Sequence, residues 1–349
     1  MNLYMDIHVL QTVPPSCVNR DDTGSPKTAL YGGTRRARVS SQAWKSVMRK
    51  EFTNLFKSEH LGYRTKHVVE LVERELKKRM PGAGEKEIQK VASQALENAG
   101  LKLNSKMEAD ALFFMSNVQA GKLAELAAEK EGDKKLYKQA LKDYPSIDMA
   151  LFGRMVASDP ALNYDAAAQV AHAISTHAVQ NEYDYFTAVD DVGAAEHAGA
   201  GHLGTVEYNS ATLYRYATVN VNELQKSLGE LTPEVVKKFA EAFVRTMPTG
   251  KQNTFANRTM PDMVYVAVRK DQPLNLSGAF EKAVIGRNNG FVKASEMALG
   301  EYCKKIYQDY DMNPEAEYLV GTDLWDGVKP VPFSKMLECM EQEIRNRLE

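Results

Sequence analysis

From Leu3 to Gln11 (LYMDIHVLQ) apolar and polar positions alternate, which predicts an opening strand that the Pro14-Pro15 pair is expected to stop. A long loop follows, Gly32 and Gly33 allow a turn, and RRARVSSQ leads into a helix that Ser40 or Ser41 can cap. The helix should run to about Phe56. At 100° per residue Trp44, Val47, Met48, Phe52 and Leu55 fall on one side and Gln42, Lys45, Ser46 and Arg49 on the other. One face can pack while the other meets a ligand. From about Leu61 to Lys142 Glu, Lys, Ala and Leu dominate, broken at Pro81 to Gly84, so a helical insertion is predicted. Ile147 to Ala157 returns to strand-like composition, and Ala166 to Val179 reads as helix running into strand. Next come YDYFTAVDD, an Ala/Gly-rich tract from Gly193 to Gly204, and TVEYNSATLYRYATVNV with alternating Tyr and Thr, together a protruding hairpin. Thr232 as cap and Pro233 behind it open another helix; Asp262 to Val268 reads as a strand, Glu296 to Tyr310 and Phe333 to Leu348 as helices. This order predicts an α+β fold, a sheet covered on one side by helices, with a ferredoxin-like or RNA-recognition-type sheet foremost.

Composition adds bounds. A chain of 349 residues with 44% hydrophobic content buries roughly three quarters of its extended surface. No apolar run approaches a membrane span, and Asp6 and His8 inside the first strand are unlike a signal peptide, so a cytoplasmic protein with no membrane partner is expected. Cys17, Cys303 and Cys339 are too few and too dispersed for a disulfide framework or a four-thiolate zinc site, and reduced thiols are expected.

Charge then redirects attention to the amino terminus. Residues 1–50 hold five Arg and three Lys against three Asp, a local charge of +5 in a protein of net charge -2. Arg20, Lys27, Arg35, Arg36 and Arg38, with Lys45 and Arg49 one helical turn apart, can pair phosphates, and Ser40 and Gln42 can donate near the helix amino terminus. A solvated cationic face is the alternative. Tyr185, Phe186, Thr187 and Leu203 beside the Gly/Ala-rich tip can slide between bases of a single strand, with core packing as the alternative for Phe186 and for Met155. Lys134, Lys135, Lys138 and Lys142, with Lys130, fall on one helical arc that suits a duplex backbone or plain solvent.

Catalytic patterns are poor. His172 and His177, like His197 and His202, are five apart and not on one helical face, and YGGTRR lacks the end of a P-loop. Asp21-Asp22 and Asp190-Asp191 are the doublets that could hold magnesium, though adjacent Asp residues also form ordinary turns.

The segments SCVNRDD, GGTRRARVSSQAWKSVMRK, AHAISTHAV, YDYFTAVDD and HLGT, in this order, resemble the CasC family of the RAMP superfamily. Its members are the repeated backbone subunits of the type I-E CRISPR surveillance complex, Cascade. The likeness is close over the first 50 residues and good from about Ile147 to Val221. It implies an RNA-recognition-like palm (1–60 and 146–349), a helical fingers insertion (61–145) and a β-hairpin thumb (about 184–212). It implies no catalysis and no cofactor. Copies would stack head to tail along CRISPR RNA, each thumb displacing one base, and present the guide to target DNA. The other partners implied are the large, small, guide 5′-end-capping and guide-processing endonuclease subunits. Carried over by motif, Asn19, Arg20, Lys27, Arg38, Ser40, Gln42, Lys45 and Arg49 would hold the guide backbone. Met155, Phe186, Thr187 and Leu203 would wedge at the displaced base, and Lys134, Lys135, Lys138 and Lys142 would face DNA. Tyr185 and Ser46 depart from the pattern, standing where tryptophan and a basic residue are expected. The alternative within the same superfamily is a metal-dependent ribonuclease subunit using Asp21 and Asp22.

Overall fold

The computed structural model describes residues 2–157, 159–188, 203–286, 288–325 and 327–349. The chain forms two compact units: Met1–Met48 with Val170–Thr218 and Phe239–Glu349, and Arg49–Gln169 with Val219–Lys238. In chain order the strands are β1 (Tyr4–Ser16), β2 (Thr28–Tyr31), β3 (Thr34–Val39), β4 (Gly62–Thr65), β5 (Phe113–Ser116), β6 (Ala168–Val170), β7 (Ala173–Ser175), β8 (Glu182–Thr187), β9 (Leu203–Asn220), β10 (Met263–Arg269) and β11 (Ala316–Val320). The helices are α1 (Ser41–Leu55), α2 (Val68–Arg79), α3 (Glu85–Asn98), α4 (Asn117–Ala128), α5 (Lys134–Lys142), α6 (Ile147–Phe152), α7 (Val221–Leu228), α8 (Thr232–Arg245), α9 (Gln252–Phe255), α10 (Val292–Asp309) and α11 (Phe333–Leu348).

The first unit carries the sheet, in the order β11-β10-β1-β9-β7-β3-β2, with β6 and β8 also pairing with β9. The α+β expectation holds. β1 pairs antiparallel with β10 from Tyr4↔Arg269 to Leu10↔Met263, and β7 pairs antiparallel with β9 through Ile174↔Tyr214. β1 runs past the proline pair to Ser16; extended backbone at the end of a strand tolerates proline. Burial along β1 is nearly continuous, so its polar residues need partners inside. Asp6 accepts from Tyr216 Oη at 2.9 Å and from Leu274 N at 2.9 Å, and His8 Nδ1 meets Tyr214 Oη at 2.9 Å.

Helices lie over both faces of β9, not one as expected. Tyr214 and Tyr216 join Leu299, Cys303 and Tyr307 of α10 in one cluster. The intervening Arg215 points the other way, its guanidinium 3.8 Å from the Trp44 ring of α1 and 4.6 Å from the Phe243 ring of α8. Strand alternation sends successive side chains to opposite faces, and here each face meets a helix.

The second unit, Arg49–Gln169 with Val219–Lys238, contains the helices expected between Leu61 and Lys142 and extends beyond them on both sides. α2, α3, α4 and α5 share a core of Val68, Val72, Leu76, Ile88, Leu96, Leu123 and Leu141. Ser116 and Gln119 form a reciprocal capping box that starts α4. The antiparallel pair of β4 and β5 within it, whose strands flank α2 and α3 in the chain, carries no clear alternation and was not expected.

Three local expectations are corrected. Ile147–Ala157 begins as helix α6, because an apolar run buried on all sides reads the same in either conformation; it ends at Gly153, φ +77°, where a Cβ would lie 2.9 Å from Tyr164 O. Ala166–Val179 contains two three-residue strands and no helix, since pairing of β7 between β3 and β9 overrides the alanines' preference. Thr232 does not cap α8: it is itself helical, and its buried Oγ1 has no hydrogen-bond partner.

Candidate nucleic-acid interface

The basic loop between β1 and β2 folds back on itself. Lys27 N donates to Asn19 O at 2.8 Å, and Arg20 and Pro26 form an isolated antiparallel bridge. At its tip Asp21 Oδ1 accepts from Thr23 N (3.0 Å), Thr23 Oγ1 (2.7 Å) and Ser25 N (3.1 Å), and these bonds hold its carboxyl below the usual carboxylate range. That oxygen is occupied by a turn, the role adjacent aspartates commonly have. Among the described residues no cluster of three or more His, Cys, Asp or Glu is placed to hold a metal. Asp190, Asp191, His197 and His202 lie outside the described residues.

Asn19 and Ser40 join this loop to α1. Asn19 Oδ1 accepts from Ser40 N at 2.9 Å, and Ser40 Oγ accepts from Ala43 N at 3.3 Å as the predicted cap. Beyond the cap, Trp44, Met48, Phe52 and Phe56 are buried at four-residue spacing, while Gln42 and Ser46 are exposed and Lys45 half-buried. Arg20 and Arg35 are exposed and Lys27 and Arg38 half-buried. Arg38 Nη1 lies 3.2 Å from His172 Nδ1. A guanidinium only donates, so His172 accepts on Nδ1 and carries its proton on Nε2. Burial, then the charges of Arg38 and Lys27, hold the His172 pKa down. A nearby groove of about 620 Å³ is lined by Asp21, Ser25, Thr28, Arg35, Asn181 and Tyr183, among others.

Two cations are not the free phosphate ligands expected. Arg36 is fully buried and donates to the carbonyl oxygens of Ser175 (3.1 Å), Thr176 (2.8 Å) and Phe280 (2.9 Å). It ties β3 to its neighbours, because outward alternation along β3 stops where segments 175–176 and 280–281 cover it. In the second unit Arg49 donates to Asp148 Oδ2 through Nε (3.1 Å) and Nη2 (2.9 Å) and lies 4.5 Å from the Phe114 ring centroid. Its side chain keeps 25% of its surface accessible, so Arg49 can reach a ligand only as a fixed guanidinium.

The hairpin of β8 and β9 is paired from Glu182↔Tyr208 to Thr187↔Leu203. All six residues of β8 are exposed on both faces, Phe186 at 48%. Core packing is therefore not its role. Its ring lies over Gly204, opposite in register, where a Cβ would be 2.3 Å from Phe186 Cζ. Only glycine leaves room for the ring. In the second unit Met155 is 87% exposed beside Arg154, which is buried and donates to the carbonyls of Leu162, Phe114 and Leu141. An apolar side chain thus projects into solvent from a rigid root.

On α5 Lys134, Lys135, Lys138 and Lys142 are all exposed, opposite buried Tyr137, Ala140 and Leu141. Lys138 pairs with Asp159 at 2.7 Å. Lys130 is not on this helix; it follows α4 with φ +57°. Sequence reasoning missed His172 as the partner of Arg38, because nothing local to HAISTH announces a contact with β3. It also missed Arg64, which lies 5.5 Å from the same Phe114 ring as Arg49.

Among the described residues these elements offer exposed cations, hydrogen-bond donors and projecting apolar groups. The family model described as CT1975-like protein, a Cas family, matches residues 5–338. No curated protein matches the chain. Among solved structures the chain is similar to one in a "CRISPR RNA-guided surveillance complex, pre-nicking", with 30% identity and TM-score 0.80 over 98% of this chain and 100% of that one. It is also similar to one in a "CRISPR RNA-guided surveillance complex", with 28% identity and TM-score 0.66 over 97% and 99%.

Proposed function

Because the chain belongs to the family of CT1975-like proteins, we propose that it is a CRISPR RNA-binding backbone subunit of a type I-E Cascade complex, a CasC-type protein. The observation that carries this reading is the end-to-end likeness to a surveillance-complex chain, 98% of one against 100% of the other. In this reading the protein is cytoplasmic and non-catalytic. It stacks head to tail with further copies along the guide, beside the large, small, capping and guide-processing subunits, and presents the guide for pairing with target DNA.

Each part of the surface has a task here. Arg20, Lys27, Arg38 and Lys45 meet the guide phosphates, with Gln42 as a further donor. Asn19 and Ser40 act by fixing the loop against α1, and Arg49 as a guanidinium held by Asp148. Phe186, Thr187, Leu203 and Met155 wedge at the displaced base, since exposed apolar groups such as Phe186 and Met155 favour unstacked bases over water. The exposed lysines of α5 face DNA. A whole-chain net charge of only -2, with the cations gathered in a small element, limits repulsion between identical stacked copies.

The test is purification after co-expression with a CRISPR array and the other subunits. RNA-bearing oligomers are expected, and Lys45→Glu with Arg49→Glu should strip the RNA. Protein that stays monomeric and free of nucleic acid overturns the assignment.

A further inference from the structure

The segment Pro248 to Ala256 (PTGKQNTFA) is distant in sequence from the basic loop but is clamped against it. Gly250 has no space for a side chain: a Cβ there would lie 2.2 Å from Val18 O and 2.7 Å from Cys17 O. Two backbones meet at that point. At its other end Phe255 packs on Tyr208 of β9, ring centroids 5.8 Å apart. The segment therefore bridges the basic loop and the foot of the hairpin within one unit.

Lys251, next to Gly250, has left-handed backbone at φ +49°, as does Ala256 at +47°. Side chains other than Gly, Asn and Asp rarely adopt this region, and such strain persists where surrounding packing imposes it. The clamp at Gly250 and Phe255 is that packing. With Gly250 against the backbone of Cys17 and Val18, the neighbouring Lys251 is rooted at the basic loop; in accord with this, burial pushes the Cys17 thiol up, and Arg20 and Lys251 are the two cations that pull it back. Asp21 and Glu207 are the acids of the same neighbourhood. Asp21 is engaged in its turn, and Glu207 accepts from Asn181 Nδ2 at 3.1 Å.

We infer that Lys251 is a further contact to the sugar-phosphate backbone of a bound single-stranded RNA, closing the cationic wall that Arg20 and Lys27 begin. The inference rests on the RNA-binding reading above. Strained backbone here has a use: it sets the point and direction from which the Lys251 side chain leaves the segment clamped on the basic loop.

The experiment measures affinity of the full-length protein for a single-stranded oligouridylate as a function of salt. Lys251→Gly removes the charge while suiting the left-handed backbone, so the variant should melt no lower than the parent. Each lost phosphate contact lowers the slope of log affinity against log salt by about 0.7. Lys251→Gly should show that loss and Lys251→Arg should restore it, with Arg20→Ala as reference. If Arg20→Ala lowers the slope and Lys251→Gly leaves it unchanged, the inference falls and the RNA-binding reading stands. If the parent does not bind the RNA, or neither variant changes the slope, both fall.

Discussion

Replacing Gly204 by alanine should disable the hairpin wedge without touching the wedge residue. The new Cβ would stand 2.3 Å from Phe186 Cζ, 2.7 Å from Cε1 and 3.0 Å from Cε2. Carbon atoms rest about 3.5 to 4.0 Å apart, so the ring must retreat by about 1 Å or more. A tilt of its side-chain torsions by up to ~30° achieves this at about 0.5–1.5 kcal/mol. Because β8 is exposed on both faces, little else is disturbed and the melting temperature should change by only a few degrees. The functional loss should be larger, since stacking of a base on an aromatic ring contributes about 1–3 kcal/mol. With 2-aminopurine placed at each guide position in turn, the assembled parent should show periodic bright positions. Gly204→Ala should dim them substantially and Phe186→Ala should abolish them. Parent-like brightness in Gly204→Ala beside a dark Phe186→Ala would refute the argument that glycine holds the ring in its working position.

Other outcomes follow from the same structure. Arg36→Met leaves the carbonyls of Ser175, Thr176 and Phe280 without their donors, and should cost about 3–5 kcal/mol in denaturant unfolding; a loss below about 1 kcal/mol would show that water replaces the guanidinium. Burial raises the Asp6 pKa to about 6 against Tyr216, Leu274 and Arg269. A raised folded-state value means that its contribution is full below about pH 4 and lost as pH rises through 6, while His8, pushed down to about 3 by burial, has the opposite slope below about 6.5. Unfolding of the parent and of Asp6→Asn at pH 4 and pH 7 isolates the carboxyl: the variant should gain about 2–3 kcal/mol on the parent across that interval, and parallel curves would count against the buried charge. Finally, the assembled complex with magnesium and complementary RNA should leave that RNA intact; regular cuts that vanish in Asp21→Ala would revive the ribonuclease reading.

Much of this was legible in the sequence because it is local. The α1 face, the break at Pro81 to Gly84 and the two strands of the hairpin rest on periodicity and turn chemistry, which neighbouring residues determine. Composition could not say that Arg36 is interior and Arg38 is not. That difference comes from the segments that cover Arg36, 175–176 and 280–281, which lie more than a hundred residues away. α6 was misread because a helix buried all round has no polar stripe to give its period. Arg49 reads as a free cation until Asp148, a residue of a different element, is placed beside it. Phe186 is the reverse case: an aromatic on a strand is usually interior, and its exposure follows from a hairpin arm with no layer packed on either face, which the residues around it do not announce.

The eighteen residues of β9 contain one glycine, at 204, and no proline, so no flexible joint separates the arm from the part embedded in the sheet. Sliding that strand by a single position would turn Arg215 toward the tyrosine cluster and Tyr214 toward Trp44, an exchange the interior would reject. The direction in which the arm faces is thus proofread at its embedded end, and an error in orientation would surface as a failure to fold rather than as a misdirected arm.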